Sequence, residues 1–401
     1  MDDLRFNLHC HVFNLKAVFS KKTKHIIEQR VLDAGLSKGV AQLVIKVITG
    51  LLKGPEAIEK IQQIIDPHEH NPFLEFLKVA LLEDMDEVTN WLLGQLAEDV
   101  IITPLMMDIT TPDAGDGNEF QRQIDLTLRQ MYRFPGRVLP FFAFNPLRPD
   151  AMDRLRAAYS QGFVGVKLYP SLGYSVESEQ IEQVARYCAA RDLPIMQHCS
   201  KGGFYAERTD RDNSLPSLWN VYLEGYKGLK ICFGHFGGES DFITPGSQNN
   251  WTDAILEMMR LFNNKASMGT VYADVSYHTT GMPDANPAAY KARIDSVLGE
   301  AACRPYVLWG TDSFLVRQRV TEREYWEHFR GALIPQAVDF DAISVKNAMD
   351  FMGFGGPKLA NNIENYVKVM RANTHRFNPR LAAPWLRKLL GKQPHMGGSG
   401  G

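Results

Sequence analysis

The chain has 401 residues, 45% hydrophobic and 22% charged, with a net charge of -2. That length suits one large α/β barrel or two medium domains, and the near-neutral charge leaves no basic footprint for nucleic acid. No apolar run reaches the roughly 18–20 residues of a membrane span, and five scattered cysteines without CxxC spacing read as reduced thiols of a cytoplasmic protein.

The first apolar run, Leu4–Val12, carries His9 and His11 near its end, too close to the N-terminus to leave room for a signal peptide. On a strand, residues two apart share a face, so both imidazoles project together while Cys10 points away. Residues 15–98 follow before the next apolar run, far more chain than one crossover needs. Within them Lys24–Ile65 and Phe73–Leu96 have helical character, punctuated by Gly54-Pro55 and Pro67–Pro72. This stretch is predicted to be a helical insertion over the barrel mouth, with the apolar run Val40–Leu52 packed on the barrel or on a second subunit, and contact with a hydrophobic substrate as the alternative. His68-Glu69-His70 repeats the HxH spacing but lies in a Pro-flanked stretch with no strand to align it, and is set aside as a ligand pair.

Seven further apolar runs continue the series: Asp99–Ile109, Val138–Asn145, Phe163–Tyr169, Leu193–Cys199, Leu229–His235, Val271–Tyr277 and Tyr306–Asp312. Between them, Pro149–Gly162, Ser178–Arg191 and Ala285–Cys303 have helical periodicity with polar faces. Fully apolar rather than alternating runs imply strands buried on both faces, hence a parallel sheet covered by helices. Eight strand–helix repeats predict an α/β fold, a (β/α)8 TIM barrel over residues 1–356. Glu322–Leu333 and Ala342–Met352 supply closing helices. Asn361–Asn373 and Pro384–Leu390 form a helical extension (357–390), and the Gly/Ser-ended segment 391–401 reads as a linker or scar. A doubly wound sheet would carry a Gly-rich phosphate turn after strand one, where this chain has His9-Cys10-His11-Val12-Phe13-Asn14.

The polar residues fall where such a barrel presents its chemistry. Lys167, His198, His235 and Asp312 close the fourth, fifth, sixth and eighth runs, at the C-terminal ends of strands. Any one of these histidines could be a hydrogen-bonded core residue, and Asp312 could cap the following helix; together with His9 and His11 they read as a ligand set. Neutral imidazole and carboxylate suit zinc, manganese or iron. Lys167 is the oddity, since an ammonium would be repelled by divalent cations. It is displaced, or its pKa falls, or it has reacted with carbon dioxide to give an anionic carbamate.

The set His9-x-His11, Lys167, His198, His235 and Asp312 resembles the amidohydrolase superfamily. The words Gly165-Val-Lys-Leu-Tyr-Pro170, Pro194-Ile-Met-Gln-His198, Gly234-His235-Phe-Gly-Gly238, Trp309-Gly-Thr-Asp312 and Asn347-Ala-Met-Asp-Phe-Met-Gly353 are similar to its "amidohydrolase 2" branch. The resemblance covers residues 4–14 and about 99–354. It implies a metal-dependent hydrolase in which His9, His11 and Asp312 hold one metal, His198 and His235 a second, and carboxylated Lys167 bridges them. His235 and Asp312 would be the catalytic residues: a metal-activated hydroxide attacks an amide, ester or lactone, with Asp312 as general base and then acid.

The branch also contains single-metal decarboxylases, in which the strand-five histidine joins the HxH pair and the aspartate and the strand-four lysine is generally absent. A lyase acting on a carboxylated aromatic or muconate-like acid is therefore the alternative, and Lys167 favours hydrolysis. One or two ions are expected, zinc first, and a catalytically silent barrel is the remaining option. The expected partners are a small-molecule substrate and further copies of the chain as a homo-oligomer. Tyr169, Arg208, His278 and Arg317 are the candidate substrate contacts, the first and third from the barrel mouth. Arg208 stands on a charged loop that could hold a carboxylate, and Arg317 lies about one turn past Asp312.

Overall fold

The computed structural model describes residues 4–18, 28, 31–32, 37–64, 72–109, 118–334 and 336–391. His68-Glu69-His70, most of the Lys24–Ser37 part of the first expected insertion helix, and residues 392–401 lie outside the described residues.

All eight apolar runs form strands. They are β1 Phe6–Cys10, β2 Ile101–Pro104, β3 Phe141–Ala143, β4 Gly165–Leu168, β5 Ile195–Ser200, β6 Lys230–Gly237, β7 Thr270–Asp274 and β8 Val307–Leu308. Every residue of β1 to β4 is buried, as strands covered on both faces must be. β1 pairs with β2, and β3 to β8 pair in sequence order, all in parallel. Two sets of backbone contacts close the ring. Ile102 bridges to Val138 between β2 and β3. On the other side Leu8 N donates to Trp309 O at 3.1 Å, and Cys10 bridges to Ser313. The fold is a (β/α)8 barrel.

β8 is shorter than its apolar run. Beyond Leu308 the chain still bonds to β1, with Asp312 N donating to His9 O at 2.7 Å. Asp312 itself, however, has a φ of 55°, which ends regular pairing and turns its side chain toward the barrel axis.

Between β1 and β2 the described chain forms α1 Leu15–Val18, α2 Lys38–Ile48, α3 Gly54–Ile64, α4 Pro72–Ala80 and α5 Met85–Gln95. Ser37 caps α2 by accepting from Val40 N, and Val40, Ala41, Val44 and Val47 make its buried stripe at helical spacing. The crossover helices follow: α6 Asn118–Arg133, α7 Ala151–Ser160, α8 Glu179–Ala189, α9 Asn220–Gly225, α10 Glu239–Ile243, α11 Trp251–Phe262 and α12 Pro287–Gly299. After β8 come α13 Glu322–His328, opened by a Thr321/Glu324 capping box, then α14 Ala337–Asp341 and α15 Asn347–Met352. α16 Asn361–Ala372 and α17 Pro384–Leu390 lie against the outside of the ring: Asn362 Nδ2 donates to Val164 O at 3.0 Å, and Trp385 Nε1 to Gly136 O at 2.9 Å. No helix among the described residues is long and apolar enough to cross a membrane.

Candidate metal centre

The C-terminal ends of the strands open into a cavity of about 590 Å³. His9, His11, Lys167, His198, His235 and Asp312 all line it, so six positions spread over 304 residues of chain converge on one space. Candidate ligand atoms of His9, His235 and Asp312 lie within 4.8 Å of one another. His11 Nε2 is 3.3 Å from Asp312 Oδ1, and His9 Nε2 is 3.6 Å from the same oxygen.

Each ring is held from behind, and the acceptor fixes its tautomer. His9 Nδ1 donates to Asp274 Oδ2 at 2.9 Å and His11 Nδ1 to Leu105 O at 2.8 Å. His235 Nδ1 lies 3.2 Å from Ser276 O and 3.0 Å from Ser276 Oγ. With the proton on Nδ1, the Nε2 lone pair of each ring is free for the cavity, the arrangement that metal-ligating histidines share. His198 is turned the other way: its Nε2 faces Gly202 O at 3.2 Å, leaving Nδ1 as its lone pair.

Burial keeps the His9, His198 and His235 rings neutral. His9 is pushed down to about 4 by desolvation against the pull of Asp274, and His235 down to about 4 by burial and by His9. His198 falls well below the usual range, again by burial, then through His235 and Lys167. The sign for stability follows. The unfolded chain binds the His9 and His235 protons near pH 6.5 and the fold refuses them until about 4, so the metal-free protein loses stability as pH falls through that window. Each histidine contributes a slope of about 1.4 kcal/mol per pH unit there. Urea titrations of metal-free protein at pH 7, 6 and 5 should give falling unfolding free energies, and His9→Asn should reduce the slope.

Asp312 completes the cluster and carries the clearest sign of a missing partner. Its Oδ1 is fully buried and accepts no hydrogen bond among the described residues. A buried carboxylate oxygen without a donor is costly. With the His9 and His11 Nε2 atoms facing it, the donor set fits a cation. Thr311 bonds the local backbone instead: its Oγ1 accepts from Ser313 N at 3.0 Å and from Asn7 Nδ2 at 2.8 Å, tying the segment after β8 to β1 beside the candidate ligands.

Lys167, on β4, is buried and lines the same cavity. Burial pulls its amine down to about 8, against the opposing pull of Asp274 and Asp312. Its Nζ stands 6.0 Å from the centre of the Tyr169 ring, and Tyr169 in turn packs on His198 with ring centroids 4.1 Å apart.

Two glycines keep the cluster tight. An alanine Cβ at Gly310 would sit 2.5 Å from His9 Cβ and 2.7 Å from His9 N, so β8 can pass β1 only without a side chain there. Gly203, at φ 89°, lets the loop after β5 cross His198, since a Cβ would meet both its Nε2 and the Tyr169 hydroxyl. Gly310→Ala should lower stability by about 3 kcal/mol, the upper end for overpacking, and release metal at the same time. Thermal melts and metal content measured on one preparation check this.

Of the expected substrate contacts, only Tyr169 lines the cavity, its hydroxyl accepting from Phe204 N at 2.8 Å. Three others are corrected. Arg208 is exposed on the loop after β5 and does not reach the cavity, because its side chain points to solvent. His278 is fully buried behind His235, with Nδ1 2.9 Å from Tyr290 Oη and Nε2 donating to His235 O at 2.9 Å, so neither nitrogen is available to substrate. It holds the backbone of His235, which sits at φ 60°. Arg317 is drawn outward to Glu75 of α4 at 3.3 Å and over the Trp91 ring of α5 at 4.6 Å. Lys201, on the same loop as Arg208, does line the cavity but is paired with Asp241 at 2.8 Å.

Two supporting residues escaped the sequence reading. Asp274 accepts from His9 Nδ1, from His235 N at 3.2 Å and from Ser276 N at 3.0 Å, as well as from the Ser276 hydroxyl. Burial alone would raise its pKa, but His9 and these donors hold it well below the usual carboxylate range. The signal was available: an acid inside the apolar run Val271–Tyr277 must find partners, and Ser276 two residues on shares its face.

Comparison with known proteins agrees with this architecture. No curated protein matches the chain. An uncharacterized TIM-barrel protein from Bordetella bronchiseptica superposes with a TM-score of 0.52 at 12% identity, covering 88% of this chain and 99% of its own. A protein from Acinetobacter baumannii described as a probable 2-pyrone-4,6-dicarboxylic acid hydrolase, with citric acid bound, gives 0.47 at 14% identity, covering 66% and 88%. A uronate isomerase from Bacillus halodurans gives 0.37 at 11% identity, covering 98% and 94%. The family profile described as Amidohydrolase matches residues 93–354, taking in Lys167, His198, His235 and Asp312 but not the His9/His11 strand. With that match spanning more than half its length, the chain belongs to the amidohydrolase family.

Proposed function

We propose that the chain is a metal-dependent hydrolase cleaving an amide, ester or lactone bond in a small molecule. The observation that carries this reading is the Asp312 carboxylate, whose buried Oδ1 lacks a hydrogen-bond donor among the described residues and faces the Nε2 atoms of His11 and His9 at 3.3 and 3.6 Å. His9, His11 and Asp312 would hold one divalent ion and His198 and His235 a second, and the chemistry supplied there when metal is bound would be Lewis acidity toward a carbonyl and toward water. Asp312 takes the proton of the attacking water and returns it to the leaving nitrogen or oxygen. The acyl carbon thereby gains a bond to the water oxygen, loses its bond to the leaving atom, and one water is consumed. Asp274, Ser276 and His278 hold His9 and His235 so that neither ring reorients during the proton movements.

Lys167 enters this reading as a carbamate, formed when its uncharged amine adds carbon dioxide and releases a proton. Support comes from its burial, its place in the cavity lining and an amine brought down to about 8 by desolvation. Incubation with carbon-13 bicarbonate should give a carbamate carbon resonance that Lys167→Met lacks.

The compact triplet His9, His235 and Asp312 also suits a single ion, which the decarboxylase reading requires. Elemental analysis combined with turnover in oxygen-18 water separates the two. A hydrolase places one labelled oxygen in the acid product. Carbon dioxide release with an unlabelled product would replace the hydrolase reading with the lyase.

A further inference from the structure

Facing the ligand cluster, the cavity has a second wall of different chemistry. Phe13 stands two residues after His11, with ring centroids 5.2 Å apart, and Phe314 two residues after Asp312. Phe13 meets Phe314 edge-on at 5.7 Å, Phe314 stacks on Phe76 of α4 at 5.3 Å, and Phe76 meets Phe73 at 5.1 Å. The rings thus run without a break from a metal-ligating imidazole to the inserted helices. All four phenylalanines line the cavity, joined by Val44 of α2. Phe13 and Phe314 each stand two residues after a candidate ligand, so the aromatic wall begins beside the place where a reacting carbonyl would be held.

We infer that the substrate carries a large uncharged apolar group, an aryl or medium-length acyl chain, on the carbonyl side of the scissile bond. The inference rests on the hydrolase reading for the reaction but not for the binding preference. Apolar surface on the ligand is removed from water against rings that are already packed and ordered, so little reorganisation opposes binding. A carboxylate in the same position would lose its hydration against hydrocarbon. The single cationic side chain lining the described cavity outside the ligand cluster, Lys201, is neutralised by Asp241. Specificity then lies in residues that the insertion brings to the barrel, above all Phe76.

Two measurements test this on the full chain. The first compares 4-nitrophenyl acyl esters from acetyl to hexanoyl with the glutaryl monoester, using zinc-loaded protein. We expect kcat/KM to rise about four-fold per methylene, with the glutaryl ester falling below the hexanoyl ester by about 100-fold or more. Phe76→Leu should flatten the chain-length dependence. The second titrates metal-free protein by calorimetry with 4-phenylbutyramide and, separately, glutaramate. We expect measurable binding of the first alone.

A flat or falling chain-length series together with equal or tighter glutaramate binding overturns the inference. If no ester is turned over but 4-phenylbutyramide alone binds, the hydrolase reading falls while the apolar specificity stands. If neither amide binds and no chain-length preference appears, the apolar wall is packing between insertion and barrel and the inference is wrong.

Discussion

Asp312→Ala should reduce turnover by about 10³-fold or more while leaving the melting temperature of the metal-free protein unchanged or raised. The first half follows from position: Asp312 is the carboxylate that faces both Nε2 atoms of the HxH pair and lines the cavity. The second half follows from what the residue lacks. Its Oδ1 is buried with no donor, a cost that alanine does not carry. Removing the carboxylate removes the desolvation cost and repulsion while breaking no hydrogen bond to Oδ1. Metal content should fall with activity. A structural role predicts the opposite pattern, a large drop in melting temperature with residual activity proportional to folded protein. Melting curves on metal-free samples, metal analysis and initial rates together distinguish the two.

Much of this site was legible because its residues break a pattern. His198, His235 and Asp312 each end an apolar run, and His9 and His11 sit at strand spacing, so local sequence alone assigns them to the top of a barrel. The second layer was not legible for the same physical reason in each case: its meaning depends on partners distant in sequence. Asp274 accepts from His9, 265 residues earlier in the chain. His278 follows its strand as a ligand would, yet the left-handed Tyr277 at φ 57° breaks the strand alternation just before it, and its ring ends up between Tyr290 and the His235 carbonyl. The eight strands were readable from their apolar runs because burial on both faces leaves no polar alternation. The length of β8 was not, since Asp312 turns away by backbone conformation rather than by any change in hydropathy.

Arg317 is the residue whose role changes most between sequence and structure, and its removal should have the second large effect. Its guanidinium reaches Glu75 on α4 at 3.3 Å, stacks over Trp91 on α5 at 4.6 Å, and lies 3.6 Å from the fully buried Glu322 at the start of α13. Glu322 in turn accepts from Ser313 Oγ at 2.9 Å, one residue from Asp312. One side chain therefore joins α4 and α5 to the segment that carries Asp312. Arg317→Ala should lower stability by about 2–4 kcal/mol, somewhat below the range for breaking a buried pair because Glu75 is partly exposed.

The pH dependence identifies the cause. Burial raises Glu322 to about 7 even with Arg317 nearby. A carboxyl that keeps its proton longer in the fold than in the unfolded chain costs stability as pH rises from its unfolded value of about 4.5. Without the guanidinium that penalty deepens and extends to higher pH. The deficit of Arg317→Ala against the parent should accordingly be large at pH 8 and shrink toward pH 5, where Glu322 is protonated in both proteins. Arg317→Lys, which restores a charge without the planar stack on Trp91, should recover only part of it. A deficit that stays constant from pH 8 to pH 5 would mean that Arg317 acts through Trp91 and Glu75, whose carboxylate stays charged over that range, and that the link through Glu322 to Ser313 carries no energy.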